Sequence, residues 1–132
     1  MGEWTKSLIM PDDSKRLLSI VEQGGYPLYD SIYQQAGYQV SMVQTMRKAV
    51  ASIKKQVPDV IVAEFNYQSD FRDRTSSLET LLASIQKYPD TRVVVFYDRE
   101  NTDKLNKLLS SATVHSTLPY PIDEQALSDS LS

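Results

Sequence analysis

The order of apolar and polar positions along the chain predicts short strands alternating with amphipathic helices. The clearest strand covers Pro58 to Phe65 (PDVIVAEF), where a short apolar run follows a Pro-Asp turn and contains an acid near its end. A run this short and this rich in β-branched residues is typical of a strand buried on both faces of a parallel sheet. Similar patterns predict four more strands, at Arg16 to Val21, Tyr38 to Gln44, Thr91 to Tyr97 and Val114 to Leu118.

Five further segments carry apolar residues at the three- and four-residue steps of a helix. The first is followed by Gly37, which suits a left-handed helix end, and the last is predicted to open at Pro121. Thr75 or Ser76 is placed to cap the third helix, with Glu79 as the partner in a capping box. The predicted helices cover Pro27 to Ala36, Met46 to Val57, Thr75 or Ser76 to Tyr88, Asn101 or Thr102 to Leu109, and Pro121 to Leu131.

Strands and helices that alternate in this way predict a three-layer α/β sandwich around a parallel sheet, because parallel strands need crossover connections of one hand. We expect the flavodoxin-like strand order 2-1-3-4-5, with five helices. This order places a topological switch point between strands one and three, at Glu22 and Glu64, where a site is expected. The predicted domain covers residues 15–132, and residues 1–14 form an N-terminal arm that packs through Trp4, Leu8 and Ile9 or has no fixed structure.

Composition excludes several classes of function. The chain has 132 residues and a net charge of −3, and its 14 basic residues are scattered, which argues against direct binding to nucleic acid. It has no cysteine and one histidine, so thiolate and multi-histidine metal sites are excluded. No apolar run approaches the ~18 residues of a membrane span. No phosphate-binding loop or nucleophile-elbow motif is present. We therefore expect a cytoplasmic protein that is not an enzyme and has no metal or other cofactor.

Three stretches of the chain resemble the receiver domain of bacterial response regulators, the CheY-like family. They are Ala36 to Val40 (AGYQV), Pro58 to Val62 (PDVIV) and Leu118 to Asp123 (LPYPID), and their order and spacing cover residues 15–131. The resemblance implies the CheY-like version of the predicted fold. It also implies a set of residues for accepting a phosphoryl group.

The acidic and hydroxyl positions implied by the resemblance are altered in this chain. The family phosphorylates an Asp at the end of strand three, and the matching residue is Glu64, whose carboxylate lies one methylene further out. The family binds Mg²⁺ with an acidic pair after strand one, of which Glu22 alone remains. The Ser or Thr at the end of strand four in the family is replaced by the larger Tyr97.

The positions near strand five are altered as well. The family's lysine, which places a positive charge on the phosphoryl group, matches Leu118. Pro119 takes the position that is often a cis proline in the family, and His115 takes the position of the aromatic switch residue. Tyr120 is a candidate for an aromatic contact surface together with Tyr97.

These departures predict an atypical receiver, a pseudo-receiver that acts in signal transduction without conventional Asp phosphorylation. The resemblance implies a protein partner or a homodimer, formed through the fourth helix, fifth strand and fifth helix. Two other hypotheses stay open. The first is an Mg²⁺-dependent receiver that accepts phosphate on Glu64 or Asp98, and the second is a small-ligand binder with a pocket near Glu22, Glu64 and Tyr97. The chain is either a stand-alone protein or a piece of a longer regulator.

Overall fold

One five-stranded parallel sheet forms the centre of the molecule. The computed structural model describes residues 15–21, 29–65, 77–110 and 114–131. The sheet has the order β2-β1-β3-β4-β5, and every neighbouring pair of strands is parallel. The predicted flavodoxin-like architecture is therefore confirmed. The strands are β1 (Lys15–Ile20), β2 (Tyr38–Val43), β3 (Val60–Phe65), β4 (Arg92–Tyr97) and β5 (Ser116–Pro119).

Five α-helices cover the two faces of the sheet in the described part of the chain, as predicted. A short 3-10 helix, Arg99–Asn101, precedes the fourth α-helix and was not predicted. The α-helices are α1 (Asp30–Gln35), α2 (Met46–Lys55), α3 (Ser77–Ser84), α4 (Thr102–Leu109) and α5 (Glu124–Ser130).

Two apolar cores lie on opposite faces of the sheet, because successive side chains of a strand point to opposite sides. Ile61 and Val95 belong to the core under α2, α3 and α4, which we call the α2–α4 core. Val60 and Val94 belong to the core under α1 and α5, which we call the α1/α5 core. All six residues of β3 are buried, as the strand at the middle of the sheet requires.

Single residues determine where several of the helices begin or end. The Thr45 hydroxyl accepts a hydrogen bond from the Lys48 N–H (3.1 Å) and so caps α2. Gly37 has φ of +96° directly after α1, which confirms the predicted left-handed end. The prediction that Pro121 opens the last helix is wrong. The Asp123 carboxylate accepts a hydrogen bond from the Gln125 N–H (3.0 Å), so α5 begins after Asp123.

Asp59 joins the three central strands where they begin. Its carboxylate accepts a hydrogen bond from the Arg16 N–H (2.8 Å), and its own N–H donates to the Arg16 carbonyl (2.9 Å). Its carbonyl accepts from the Arg92 N–H (3.0 Å). One residue thereby connects β1, β3 and β4 at the amino end of the sheet.

The last strand differs from its prediction. It begins at Ser116 and ends at Pro119, two residues later at its start than expected. The expectation that Pro119 follows a cis peptide bond is wrong, because the cis bond of the described residues is Tyr120–Pro121. Pro119 is the last residue of β5 and is paired with Tyr97, while Pro121 lies after the strand, in the turn before α5, where cis prolines are typically found.

Several predictions concern residues outside the described ranges. These are the arm of residues 1–14, the acid Glu22, Pro27, and the caps at Thr75 and Ser76. Within the described ranges, no helix has the length and apolar character that crossing a bilayer requires.

Candidate functional site

Glu64 lies near the carboxyl end of β3, as the sequence predicted for the phosphoacceptor position. Its Cα is paired with that of Phe96 in β4. Glu64 is 6% exposed, and it is one of two polar residues buried in the described part of the chain, the other being Ser19. Burying a carboxylate requires polar partners, and Glu64 does take part in interactions within the fold. Its side chain is therefore held inside the domain rather than presented to solvent.

Tyr33 of α1 is one of the residues that interact electrostatically with Glu64. Its side chain is 2% exposed in the α1/α5 core. Burial raises the pKa of the Tyr33 phenol well above its usual value, and the charges of Asp30 and Glu64 raise it further, as does neighbouring Tyr29. The phenol therefore stays neutral beside Glu64 at physiological pH, where it can act as a hydrogen-bonding group and not as a charge.

Aromatic rings pack around Phe96, the residue beside Glu64 in the sheet. Tyr29 contacts Phe96 edge to face, with ring centroids 5.9 Å apart and planes at 84°. Tyr120 contacts it in the same way at 6.0 Å and 73°. Such contacts contribute about 0.5–1.5 kcal/mol each beyond the area they bury. We call Tyr29, Phe96 and Tyr120 the aromatic cluster.

The aromatic cluster joins the start of α1, the end of β4 and the exit of β5. Sequence reasoning identified Tyr120 as a candidate contact residue but did not connect it with Tyr29 or Phe96. In the sequence, Phe96 is part of an apolar strand pattern, and Tyr29 is part of the predicted first helix. Their aromatic character was the signal available, but it could not show which rings the topology brings together.

Tyr97 lies in the sheet beside Phe65 and Pro119 and is half-buried. Its side chain packs against the α2–α4 core, whereas that of Phe96 lies in the α1/α5 core. Because residues paired across parallel strands share a face, Glu64 points to the same side as Phe96. The structure therefore places the Tyr97 ring on the face of the sheet opposite to Glu64.

The side chains at the end of β5 are uncharged. Leu118 is 9% exposed in the α1/α5 core and is paired with Phe96. The first residue after the strand is Tyr120, whose N–H donates to the Tyr97 carbonyl (2.8 Å). Whether the family's lysine position is matched to Leu118 or to Tyr120, the residue cannot supply a positive charge.

His115 lies far from Glu64, at the amino end of β5. It is exposed, and its N–H donates to the carbonyl of Val93, near the start of β4 (2.8 Å). Four residues of strand separate it from Pro119, which corresponds to about 13 Å. It lines a cavity of about 620 Å³, together with Tyr88 and Arg92, at the amino end of the sheet. The structure does not bring His115 together with Glu64 or with the aromatic cluster.

The described residues at the carboxyl end of the sheet do not form a cluster of Mg²⁺ ligands. Magnesium requires octahedral oxygen ligands, usually one or two accessible carboxylates with several waters. Glu64 is buried, and exposed Asp98 uses a carboxylate oxygen to accept the Glu100 N–H (3.2 Å). Within the described ranges, no group of three or more His, Asp or Glu side chains is placed to hold a metal ion. Glu22, the remaining acidic candidate, lies outside those ranges.

Comparison with solved structures identifies the fold. The chain is similar to the chemotaxis response regulator CheY4 of Vibrio cholerae, with a TM-score of 0.69 and 19% identity over 89% of this chain and 96% of that one. It is also similar to the signal receiver domain of an HD domain-containing protein from Pseudomonas fluorescens Pf-5 (TM-score 0.68, 19% identity, 89% and 91% covered). A response regulator receiver domain from Clostridium thermocellum aligns with a TM-score of 0.64 at 14% identity, covering 89% and 90%.

No protein-family model matches the sequence, and no curated protein matches it either. At this level of identity the structural likeness establishes the fold alone. The chain has the CheY-like fold of response regulator receiver domains, as the resemblance implied.

Proposed function

We propose that the chain is a signalling module of the receiver type that works by protein contact, without phosphorylation of Glu64. In this proposal it acts in the cytoplasm, is not an enzyme and needs no cofactor. The fold supports a role in signal transduction, because the solved chains that share it are receiver domains and a chemotaxis response regulator.

The packing beside Glu64 is the observation that carries the proposal. A receiver that accepts phosphate must hold a doubly charged group in water-accessible space next to a cation and a metal ion. Here the candidate acceptor is 6% exposed, and its neighbour in the sheet, Phe96, packs edge to face against Tyr120. A phosphoryl group on Glu64 would bring a doubly charged group next to this aromatic packing, and taking a charge out of water costs several kcal/mol.

The partner is proposed to bind the surface formed by α4, β5 and α5. β5 is the edge strand on this side of the sheet. The exposed side chains of α4 include Lys107 and Asp103, and those of α5 include Glu124 and Asp129, so the surface offers both signs of charge. Mixed charge around an edge strand suits a protein partner, for which complementary charges provide specificity.

The proposal that the chain works without phosphorylation is tested by exposing the protein to Mg²⁺ and acetyl phosphate and measuring its intact mass. We expect no phosphoryl adduct, whereas a phosphorylatable receiver treated in parallel should show one. An adduct that disappears in Glu64→Gln or in Asp98→Asn would overturn the proposal and establish the altered-acceptor alternative. Amide NMR with Mg²⁺ and beryllofluoride gives an independent readout at Phe96 and Tyr120, where we expect no saturable shifts.

The contact surface is tested by placing a photocrosslinker at single exposed lysines in the native cell. Position 107 on α4 should give a discrete adduct that excess unlabelled protein competes away. Position 54 on α2 provides the matched control, because Lys54 is also an exposed lysine near the end of a helix. Equal labelling at both positions would count against the proposed surface.

A further inference from the structure

The outer edge of β2 has unusual properties for an edge strand. β2 is at one end of the sheet and, within the described ranges, pairs with β1 alone. Its sequence, YQVSMV, contains no charged residue and no proline over six residues. Natural edge strands normally carry such residues to prevent pairing with other chains. The opposite edge, β5, has four residues and ends in Pro119, so it has the protection that β2 lacks.

The backbone of β2 shows which of its groups face outward. The Val21 N–H donates to the Val43 carbonyl (2.9 Å), so the polar groups of Val43 face β1. Because these groups alternate in direction along a strand, those of Tyr38, Val40 and Met42 face the outer edge. Met42 is 46% exposed, one of the two exposed large apolar side chains of the described residues.

We propose that β2 pairs antiparallel with β2 of a second copy of this chain, with Val40 on the two-fold axis. This register uses all three outward-facing residues and forms about six backbone hydrogen bonds, whereas neighbouring registers centred on Gln39 or Ser41 form about four within the strand. The paired edges create one continuous sheet of ten strands across the dimer.

The side chains of β2 are complementary to themselves in this register. Tyr38 lies opposite Met42 of the second copy, which places the exposed Met42 side chain beside the face that continues the α1/α5 core. Gln39 lies opposite Ser41, so polar groups meet on the other face, and β2 itself contributes no charged side chain to the pairing. A strand pair of this length buries less than the roughly 1,200 Å² of a stable interface, so the dimer is weak and reversible.

Single cysteines test both the pairing and its register, because the natural chain has none. In Val40→Cys the two thiols face each other across the axis, with Cα atoms about 5.5 Å apart, within the range that a disulfide spans. In Ser41→Cys the two Cα atoms lie on a diagonal of about 7–8 Å, which is too long. Mild oxidation should give a covalent dimer of the first variant and leave the second monomeric on a non-reducing gel.

Charge substitutions at the same position provide a second test. Val40→Lys and Val40→Glu each place like charges on the axis and should each abolish the concentration-dependent mass increase in sedimentation velocity. A mixture of the two variants should restore it, and circular dichroism checks that both remain folded. Val57→Lys, at the other exposed apolar residue, should leave association unchanged.

Three results would overturn the proposal. The first is equal cross-linking of the two cysteine variants, which indicates random collision. The second is the absence of cross-linking in both variants, as expected if another segment or partner covers β2. The third is persistent dimers of the separate charge variants. None of these results bears on the phosphorylation test, because Glu64 is in β3 and not at this edge.

Discussion

Removal of the Tyr38 hydroxyl should destabilise the domain by disconnecting the end of α5 from the sheet. Tyr38 is 4% exposed at the start of β2, and its hydroxyl donates to the carbonyl of Leu131 just after α5 (3.0 Å). The same oxygen accepts a hydrogen bond from the Arg92 guanidinium of β4 (2.7 Å). One hydroxyl therefore ties together three elements that lie far apart in the chain.

The magnitude follows from these two bonds. A neutral buried hydrogen bond contributes about 1 kcal/mol and one to a charged group about 1.5–3 kcal/mol. Arg92 is half-buried and can recover some hydration after the change, so we take the lower part of the combined range. Tyr38→Phe should then lower the free energy of unfolding by about 2.5 kcal/mol, which corresponds to about 9 °C in Tm for a domain of this size.

A double-mutant cycle separates the Arg92 bond from the rest of the effect. Tyr38→Phe, Arg92→Met and the double variant are compared by urea denaturation at neutral pH. We expect a coupling free energy of about 1–2 kcal/mol, because each single change removes the same bond. A loss below about 0.5 kcal/mol in Tyr38→Phe would refute this account of how α5 is held, and strictly additive effects would refute the bond between Tyr38 and Arg92.

Two further predictions concern a buried phenol and a helix cap. In the unfolded chain the Tyr33 phenol has a pKa near 10.0 and loses its proton above that pH, whereas the raised pKa in the folded chain keeps the proton bound. The free energy of unfolding therefore falls as the pH rises above 10.0. Tyr33→Phe should lose less stability than the wild-type chain between pH 9 and pH 11 in urea titrations, and equal losses would contradict the assignment. Thr45→Ala should lower the free energy of unfolding by about 1 kcal/mol, because it removes the α2 cap, and Thr45→Ser should restore most of this loss. An Ala variant as stable as the wild-type chain would show that the cap bond is unimportant.

The fold could be predicted from sequence because its signals are local and repeated. β3 is a continuous apolar run, and β4 is another, so both were located within two residues of their ends. The end of α1 was located by Gly37, whose positive φ few other residues tolerate. Prediction was weakest around β5, because only Leu118 of its four residues is buried and its two nearby prolines gave no basis for choosing the cis bond.

The candidate site could be predicted only in part. Glu64 was located correctly at the end of β3, since its position depends on that strong strand pattern alone. The side of the sheet on which Tyr97 packs, and the contact between Tyr29 and Phe96, depend on tertiary packing that residue spacing does not encode. His115 was assigned to the position of the aromatic switch residue, and the structure places it just before β5, at the end of the sheet away from Glu64.

Asp59 and Glu64 lie at opposite ends of β3 and have different roles, since Asp59 aligns the strands and Glu64 belongs to the candidate site. The Pro58-Asp59 pair contributed to the resemblance to receivers, and Asp59 uses its backbone and its carboxylate to align three strands. None of those bonds depends on what happens at the carboxyl end of β3. The residues around Glu64 can therefore change while the strands keep their alignment, so the shape of this sheet and the chemistry at its carboxyl end can be altered independently.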